Sequence, residues 1–514
     1  MTARALRWAA PAAAALAGVL QALSLAWPGS GQPLWWLQLL SLALLAGLLQ
    51  RSATWRGAAV LGWTFATAWL TATFWWLFIS MHVYGGLASP LAALAVLLLA
   101  GFLSLYYAAA AGLYRLAAAE RPGRGAALFA GLWLGAELLR GTLFTGFPWG
   151  AGGYAHTDGP LAALAPWVGV YGIGAVAAWL AVLLSLLVRH PARGSWRYWV
   201  VVAASAGLLA ACNAHTRLTS LSSPGPRLKV GLLQGNIPQD EKFEGGTGIP
   251  LALDWYGRML RDTDAQLVVA PETAIPLLPP QLPEGYLEAL RDTFTKGSRA
   301  MLVGIPLGSY EAGYTNSVMG FRPGDAGYRY HKHHLVPFGE FIPPLFKWFT
   351  RMMNIPLGDF NRGDVGQPSF AWQGQRLAPN ICYEDLFGEE LGARFADPAQ
   401  APTIFVNLSN IAWFGDTVAI DQHLQISRMR ALEFERPMIR ATNTGATVII
   451  DRFGHVAQAL PRHTRGVLTG EVEGGTAFTP FARWVSRLGL WPLWALAAAA
   501  ALAAWLGRPR PPQP

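Results

Sequence analysis

The chain has 514 residues, of which 53% are hydrophobic, only 13% are charged and 23 are Trp. That balance argues against an ordinary soluble enzyme. The formal net charge is +9, but residues 217–483 carry 25 Lys and Arg against 27 Asp and Glu, while the remainder carries 14 against 3. The positive excess therefore accompanies the long apolar runs, and we expect no nucleic-acid partner.

Apolar runs of the length that crosses a hydrocarbon core recur along the first 213 residues, and another lies near the C-terminus. The predicted spans are 8–26, 34–50, 57–80, 88–114, 125–142, 161–188, 196–213 and 484–506. This pattern predicts a membrane α-helical bundle of about eight transmembrane helices. We accordingly divide the chain into a seven-helix domain (1–213), a second domain (214–483) and a C-terminal helix with a short tail (484–514).

The ends of these runs alternate in their content of positive residues. The loops near 27–33, 81–87 and 143–160 contain neither Lys nor Arg. The opposite ends contain Arg4, Arg7, Arg51, Arg56, Arg115, Arg121, Arg124, Arg189, Arg193, Arg197, Arg508 and Arg510. Because loops retained in the cytoplasm accumulate Lys and Arg, this asymmetry predicts that both termini are cytoplasmic and that residues 214–483 lie on the outer face of the membrane.

The segment 214–483 has the pattern of an α/β domain, in which short β-rich runs alternate with helix-like stretches. The β-rich runs are 228–236, 265–272, 300–307 and 401–409, and the helix-like stretches are 250–264, 284–296 and 417–436. The two cysteines, Cys212 and Cys382, are too far apart to suggest a disulfide framework, and no Cys or His spacing matches a zinc site. We therefore expect no metal and no cofactor.

Three ionisable residues, Glu272, Lys332 and Cys382, each lie at the end of a β-like run or in the loop after it, where α/β folds gather reactive groups. Taken singly, each has a structural alternative. Glu272 suits a helix N-terminus, and Lys332 suits a solvated loop. Cys382 suits a small buried apolar position, although a turn from strand to helix would lower its pKa and supply oxyanion donors.

The histidines beside Lys332 raise a further alternative, a metal site. His331, His333 and His334 lie in "YRYHKHHLVPFGEF" (328–341). Their spacing matches no common ligand pattern, and the nearest carboxylate, Glu340, follows a turn. This pattern does not favour metal binding.

Three strings occur together in an order that is specific: "PET" at Glu272, "YHKHHLVPFGE" around Lys332 and "NICYED" at Cys382. They resemble the Glu-Lys-Cys motifs of the nitrilase, or carbon–nitrogen hydrolase, superfamily. With seven spans before this domain and one after it, the whole chain resembles the apolipoprotein N-acyltransferase family of the bacterial cytoplasmic (inner) membrane. The resemblance implies a nitrilase-like αββα sandwich for the second domain, on the periplasmic face.

The resemblance also implies roles for single residues. Cys382 would be the nucleophile, Glu272 the general base and acid, and Lys332 the cation beside the oxyanion. Glu340 would orient the lysine or the proton relay. The amide of Tyr383 would complete the oxyanion hole, and Tyr383 and Glu384, which follow the nucleophile directly, match further family positions that matter for activity.

Aromatic residues are the candidates for lipid contact. Relatives often have Trp where this chain has Phe243, which would contact the acyl chain. Phe147, Trp149 and Tyr154 would line a lipid entrance, although an interfacial aromatic belt explains them equally simply. Trp348 and Phe349 would lie on an arm that dips into the lipid.

The implied reaction removes the acyl chain from the sn-1 position of a phospholipid, phosphatidylethanolamine. The chain is then held as a thioester on Cys382. The chain passes to the N-terminal α-amine of an S-diacylglyceryl-cysteine apolipoprotein. The expected partners are therefore the phospholipid donor and the lipoprotein acceptor, and we expect a monomer.

Two alternatives remain: a membrane-tethered amidase that hydrolyses a small carbon–nitrogen substrate, and a transporter or sensor with a ligand-binding outer domain. The latter expects charged residues in the spans, where Glu137 and Arg140 are the main ones.

Overall fold

The chain forms two compact units, which comprise residues 1–77, 89–220 and 490–514 in the first and residues 78–88 and 221–489 in the second. The computed structural model describes residues 3–117, 122–189, 207, 210–212, 214, 225–325, 327–342 and 359–506.

The first unit is helical. Its principal helices are Ala3–Leu25, Trp35–Arg51, Trp55–Phe74, Ser89–Leu116, Pro122–Thr142, Ala165–Arg189 and Trp491–Leu506. Small residues allow neighbouring helices to approach closely: a side chain at Gly62 would collide with the Tyr107 carbonyl, and one at Gly131 with Ala500. Packing of this kind is typical of membrane helices, whose association has little hydrophobic driving force.

Four described helical segments are long and apolar enough to cross a membrane: 8–25, 89–116, 124–145 and 160–188. A fifth crossing results if the bent pair Pro480–Leu488 and Trp491–Leu506 counts as one span. Helix Trp35–Arg51 is shorter, with 17 residues, and threonines lower the hydropathy of helix Trp55–Phe74. The total of eight spans stays a prediction, because most of the run 196–213 lies outside the described residues.

Two predicted spans differ in detail from the observed helices. The run 57–80 ends as a helix at Phe74, and a short helical segment with π-helical hydrogen bonding follows at Ser80–Tyr84. The run 484–506 is not one helix, because Gly489 adopts a φ of 55° and interrupts it. A left-handed glycine commonly ends a helix, and the hydropathy of a run does not detect that break.

Two charged residues of the helical unit, Glu137 and Arg140, are fully buried. Arg140 Nη1 donates to the carbonyls of Phe147 and Trp149, both at 2.7 Å, and Glu137 Oε1 accepts a hydrogen bond from the amide of Gly152 at 2.9 Å. Within an apolar surrounding, irregular backbone needs such partners in place of water. The two charges therefore hold the loop that follows their helix.

The second unit contains two six-stranded sheets. The first has the order β12-β1-β2-β3-β4-β5 and the second the order β11-β10-β9-β8-β7-β6. The strands are β1 Arg227–Gln234, β2 Leu267–Val269, β3 Ala300–Ser309, β4 Gly313–Phe321, β5 Tyr328–His331, β6 Phe370–Trp372, β7 Gln375–Ile381, β8 Ile404–Ser409, β9 Met438–Thr442, β10 Val448–Ile450, β11 Val456–Ala459 and β12 Gly466–Glu473. In each sheet three central strands are parallel, β1 to β3 in one and β7 to β9 in the other.

The sheets pack face to face, and helices cover their outer faces. One buried cluster joins residues of both sheets, among them Leu267 and Leu302 from the first and Val406 and Ile439 from the second. A second cluster joins the other face of the first sheet to helices Gly248–Asp262 and Tyr286–Thr295. Helix Val418–Phe434 packs on the second sheet, with the rings of Phe434 and Phe405 5.5 Å apart. Two further α-helices described in this unit are Gly388–Gly392 and Pro480–Leu488. The layers are thus helix, sheet, sheet and helix, as the nitrilase-like prediction requires.

Candidate active site

The site forms where strands of both sheets end. Glu272 follows β2 by three residues, Lys332 follows β5 directly, and Cys382 follows β7 directly. Carboxyl ends of parallel strands lie at a common edge of a sheet, and face-to-face packing superimposes the two edges. The structure therefore brings together three residues that are far apart in sequence.

Cys382 occupies a tight turn between β7 and a short 3₁₀ helix, Cys382–Leu386. Its φ of 51° lies in the left-handed region, which non-glycine residues rarely adopt. Two side chains hold its carbonyl: His423 Nε2 at 3.2 Å and Asn407 Nδ2 at 3.3 Å. The nucleophile candidate is therefore a half-buried thiol on a turn whose main chain is fixed from the second sheet.

His423 belongs to a buried cluster behind this turn. Its Nε2 also lies 2.9 Å from Asp385 Oδ1, and its Nδ1 lies 3.2 Å from Arg440 Nη2. Because Nε2 faces two acceptors and Nδ1 faces an obligate donor, the hydrogen-bond network assigns the proton to Nε2. Ser427 Oγ donates to Asp385 Oδ2 at 2.5 Å, and Arg440 Nη1 lies 3.8 Å from the same oxygen. The sequence analysis missed this cluster.

Helix Val418–Phe434 and the turn that follows it carry further charged residues. Arg430 and Glu433 pair, with 3.0 Å between Nη2 and Oε1. Arg428 instead donates to the Gly454 carbonyl at 2.6 Å, and Arg436 to the Pro402 carbonyl at 2.5 Å. These bonds join the helix to itself or to main-chain carbonyls elsewhere in the second unit.

Glu272 is held at both carboxylate oxygens. Its Oε1 accepts hydrogen bonds from Asn316 Nδ2 at 2.8 Å and Lys332 Nζ at 3.3 Å, and its Oε2 accepts one from the Asn410 amide at 2.9 Å. It lies in a loop and not at the N-terminus of a helix. This contact set orients the carboxylate and favours its charged form.

Lys332 is a fully paired buried cation, with only 1% of its surface exposed. Its Nζ donates to Glu340 Oε1 at 2.9 Å in addition to Glu272. Glu340 Oε2 in turn accepts from the Val336 amide at 2.8 Å, which ties the carboxylate to its own loop. The solvated-loop alternative for Lys332 is therefore wrong, and Glu340 contacts the lysine as the resemblance implied.

Asn316 joins the two carboxylates from the middle of β4. Its Nδ2 donates to Glu272 Oε1 at 2.8 Å and to Glu340 Oε1 at 2.7 Å. Its own carbonyl accepts from the Lys332 amide at 2.8 Å. Nothing in the sequence around Asn316 distinguishes it from any other polar residue on a strand, so sequence reasoning had no means to find it.

Charge and burial set the resting protonation of the site. Burial alone would raise the pKa of Glu272, but the Lys332 ammonium and the Asn316 hydrogen bond hold it below its ordinary value. Burial and the Glu272 charge raise the pKa of Cys382 to about 12, with Lys332 opposing them. Burial would lower the pKa of Lys332, but the carboxylates of Glu340 and Glu272 raise it above its ordinary value. The resting site is thus a carboxylate, an ammonium and a neutral thiol.

Glu384 lies beside these residues and binds main chain. It accepts hydrogen bonds from the amides of Ile381 at 2.6 Å and His333 at 2.7 Å, and from the Tyr330 hydroxyl at 2.9 Å and 2.8 Å. Burial raises its pKa. The carboxylate thus connects the neighbour of Cys382 to the neighbour of Lys332. Tyr383 is buried, with its ring 5.3 Å from that of Phe387.

The three histidines near Lys332 do not converge on one point, although His333 Nε2 and His334 Nδ1 both lie within 3.9 Å of Glu390 Oε1. His331 Nδ1 contacts the hydroxyls of Thr315 and Ser317 at 2.8 Å, and His333 Nδ1 contacts the Gly363 carbonyl at 2.7 Å. His334 Nδ1 lies 2.8 Å from Glu390 Oε1. Across the ranges that the structure describes, no group of three or more His, Cys, Asp and Glu is arranged to hold a metal ion.

The aromatic residues chosen for lipid contact have different surroundings. Phe243 is half-buried in the second unit. Within the helical unit Trp149 and Tyr154 are buried, and the rings of Phe147 and Phe74 lie 4.6 Å apart. Trp348 and Phe349 lie outside the described residues.

Both parts of the chain match known families. Residues 17–183 match the family model for the N-terminal domain of apolipoprotein N-acyltransferase, and residues 229–479 match the carbon–nitrogen hydrolase family. The chain is 63% identical to the apolipoprotein N-acyltransferase of Verminephrobacter eiseniae, with 94% of each chain covered. It is 48% identical to that of Ralstonia nicotianae (93% of this chain, 90% of the relative) and 41% identical to that of Bordetella bronchiseptica (96% and 97%).

These matches extend over nearly the full length of the chain and of its relatives, and they confirm the resemblance read from the motifs. They favour an acyltransferase over an amidase, a transporter or a sensor. The chain belongs to the apolipoprotein N-acyltransferase family, in which a helical membrane domain is joined to a catalytic domain of the carbon–nitrogen hydrolase fold.

Proposed function

We propose that this enzyme transfers the sn-1 acyl chain of phosphatidylethanolamine, through a thioester on Cys382, to the N-terminal α-amine of an S-diacylglyceryl-cysteine apolipoprotein. The observation that carries the proposal is the way the Glu272 carboxylate is held beside the Cys382 thiol. Its carboxylate is charged and oriented by Lys332 and by the Asn410 amide, next to a thiol whose resting form is neutral. A carboxylate beside a neutral thiol is suited to take the thiol proton during attack on an ester.

In the first half-reaction Glu272 takes the Cys382 proton as sulfur attacks the ester carbonyl. Lys332 Nζ and the Tyr383 amide stabilise the oxyanion, and donors of this type contribute about 3–4 kcal/mol each to the transition state. Glu272 then returns the proton to the departing lysophospholipid alkoxide. The acyl chain remains on Cys382 as a thioester, and no proton is gained or lost overall.

In the second half-reaction the α-amine of the lipoprotein attacks the thioester carbonyl. The carbon–nitrogen bond forms, the carbon–sulfur bond breaks, and Cys382 recovers its proton. Through both steps, the Lys332 ammonium and the Glu272 carboxylate are held in position by Glu340 and Asn316. The loops that carry Lys332 and Cys382 are supported by Glu384 and Tyr383.

The proposed location is the bacterial inner membrane, with the catalytic domain on its periplasmic face and both termini in the cytoplasm. The distribution of arginine at the ends of the apolar runs supports this orientation. Phe147, Trp149, Tyr154, Phe243, Trp348 and Phe349 remain the proposed lipid contacts. We propose a monomer that needs no cofactor, because the reaction requires only groups that one chain supplies.

The test is intact-protein mass spectrometry of the purified enzyme after mixing with phosphatidylethanolamine that carries a labelled sn-1 chain. We expect a single acyl adduct on Cys382, which a diacylglyceryl lipopeptide then discharges as an N-acylated product. The Cys382→Ala variant is the control and should carry no adduct. Absence of an adduct on the wild-type protein would contradict the first half-reaction, and loss of the chain only to water would contradict the second.

A further inference from the structure

The site contains a second buried lysine that the two half-reactions leave without a role. Lys242 lies in the loop after β1, and only 1% of its surface is exposed. Its Nζ donates one hydrogen bond, to the main-chain carbonyl of Glu272 at 3.1 Å. The next residue, Phe243, places its ring 5.8 Å from the same nitrogen. Lys242 therefore contacts the Glu272 turn from the loop after β1.

Lys242 differs from Lys332 in its partners. Lys332 Nζ lies against two carboxylates, whereas no carboxylate oxygen of the described residues lies within salt-bridge distance of Lys242 Nζ. A buried ammonium without a counter-charge is costly, so such a lysine tends to be neutral. A neutral amine still donates one hydrogen to the Glu272 carbonyl and keeps a lone pair that can accept a proton.

The electrostatic surroundings agree with this geometry. Burial lowers the pKa of Lys242 to about 7, with the charge of Glu272 opposing the shift. The opposite behaviour of Lys332, whose pKa is raised, leaves Lys242 as the lysine of the site that can exchange a proton near neutral pH.

The proposed reaction needs a proton acceptor in its second half only. A lipoprotein α-amine arrives largely as an ammonium at neutral pH, since such groups have pKa values of about 8. Forming the amide removes two protons from that nitrogen, and Cys382 takes back one of them. One surplus proton remains, and Glu272 is already engaged in moving the other proton from nitrogen to sulfur.

We propose that Lys242 is the catalytic base that removes the surplus proton from the incoming α-ammonium, an inference that rests on the proposed function. The neutral Lys242 amine takes one proton, and the freed α-amine attacks the thioester. Its second proton passes through Glu272 to the Cys382 sulfur, and the Lys242 ammonium later releases its proton to solvent. Lys332 cannot replace it, because its ammonium is fixed between Glu272 and Glu340.

The test separates the two half-reactions in Lys242→Met and Lys242→Arg. Acylation of Cys382 by phosphatidylethanolamine is followed by intact mass, and the isolated acyl-enzyme is then mixed with a diacylglyceryl lipopeptide between pH 6 and 9. We expect acylation within about threefold of wild type and transfer to the lipopeptide about 10²-fold slower at pH 7, the usual contribution of a general base. The defect should shrink as the pH rises past the pKa of the α-amine.

Two controls make the result specific. Hydroxylamine is largely unprotonated at neutral pH, so both variants should discharge to it at the wild-type rate. Lys229→Met removes a half-exposed lysine that pairs with Asp264 and should change neither step. Lys242→Arg keeps a hydrogen-bond donor but has no lone pair that can accept a proton, so it should share the transfer defect even if the methionine variant folds poorly.

Several results would overturn the proposal. Equal slowing of both steps would mean that Lys242 only supports the Glu272 turn, and an unchanged transfer rate or a defect independent of pH would mean that it is not the base. Failure of the wild-type protein to form the thioester would instead contradict the proposed function itself.

Discussion

The two sheets contribute different halves of the active site. The first sheet and its loops supply the charged groups, with Lys332 shared between Glu272 and Glu340. The second sheet supplies the thiol of Cys382 and the side chain of Asn407, and helix Val418–Phe434, which packs on that sheet, supplies His423; both side chains hold the Cys382 carbonyl. Proton movement and placement of the nucleophile are thus assigned to separate layers of the sandwich.

Both halves contain buried charge, but they use it differently. In the first half the charges face the thiol and shift its pKa. In the second half Asp385, Arg440 and His423 bond to one another and to main chain behind the turn. Substitutions in the first half should therefore change the chemistry of the thiol, and substitutions in the second half should change its position and the stability of the fold.

The largest effect should come from Glu272→Gln, and it should act in two directions. Acyl transfer should fall on the order of 10³-fold, because the general base is lost. Alkylation of Cys382 by iodoacetamide at pH 8 should become faster. After burial, the Glu272 charge is the main cause of the raised pKa of Cys382, and its removal leaves the Lys332 cation to stabilise the thiolate. Intact mass spectrometry gives both rates.

Glu288→Gln is the matched control, because Glu288 lies exposed on helix Tyr286–Thr295. It should change neither rate. Slower alkylation in Glu272→Gln would contradict the electrostatic account of the resting thiol.

The next largest effect concerns the second sheet. Asp385→Asn keeps the shape of the side chain but leaves Arg440 buried without its counter-charge. We expect the free energy of unfolding to fall by about 3–5 kcal/mol, as when one partner of a buried pair is removed. Acylation by the folded protein should fall by up to about 10²-fold, the cost of a small displacement of a catalytic group. Thermal unfolding in detergent and the rate of adduct formation measure the two effects.

Asp254→Asn provides the comparison, since Asp254 and Arg258 form an exposed pair on helix Gly248–Asp262. An exposed pair contributes about 0–1 kcal/mol, so this variant should unfold almost as the wild type does. A similar small change in Asp385→Asn would mean that the buried cluster does not stabilise the turn.

The features that depend on local sequence pattern could be predicted from the sequence. The strands and helices of the second unit follow local periodicity, and β1, β3 and β8 lie close to the predicted runs. Lys332 and Cys382 follow strands directly and Glu272 follows β2 by three residues, so strand ends and motifs were sufficient to select them. Their roles as nucleophile, base and cation stay predictions.

The remaining residues of the site depend on tertiary packing, which leaves no local signal. Asn316 lies within a strand, His423 within a buried helix, and Lys242 in a loop rich in other charges. Each becomes distinctive only through a partner far away in sequence, such as Asn316 with Glu340 or His423 with Cys382. The break at Gly489 was missed for a related reason, because hydropathy records the composition of a run and not its backbone conformation.

The smallest effect should come from Asn316→Leu, which sharpens the role of the first sheet. The substitution keeps the approximate volume but removes the donor shared by Glu272 and Glu340. A hydrogen bond to a charged group contributes about 1.5–3 kcal/mol, and the lower end of that range corresponds to a fall in acylation of about tenfold, which we expect here. The Asn316 bond also helps to hold the pKa of Glu272 below its ordinary value, and its loss should raise that pKa. Because the carboxylate form is the base, the acid limb of the acylation rate should move to higher pH and the defect should grow as the pH falls.

Ser317→Ala, which alters the adjacent position on β4 and the contact with His331, should leave the pH profile unchanged. A defect of equal size at every pH would mean that Asn316 fills space without tuning the base.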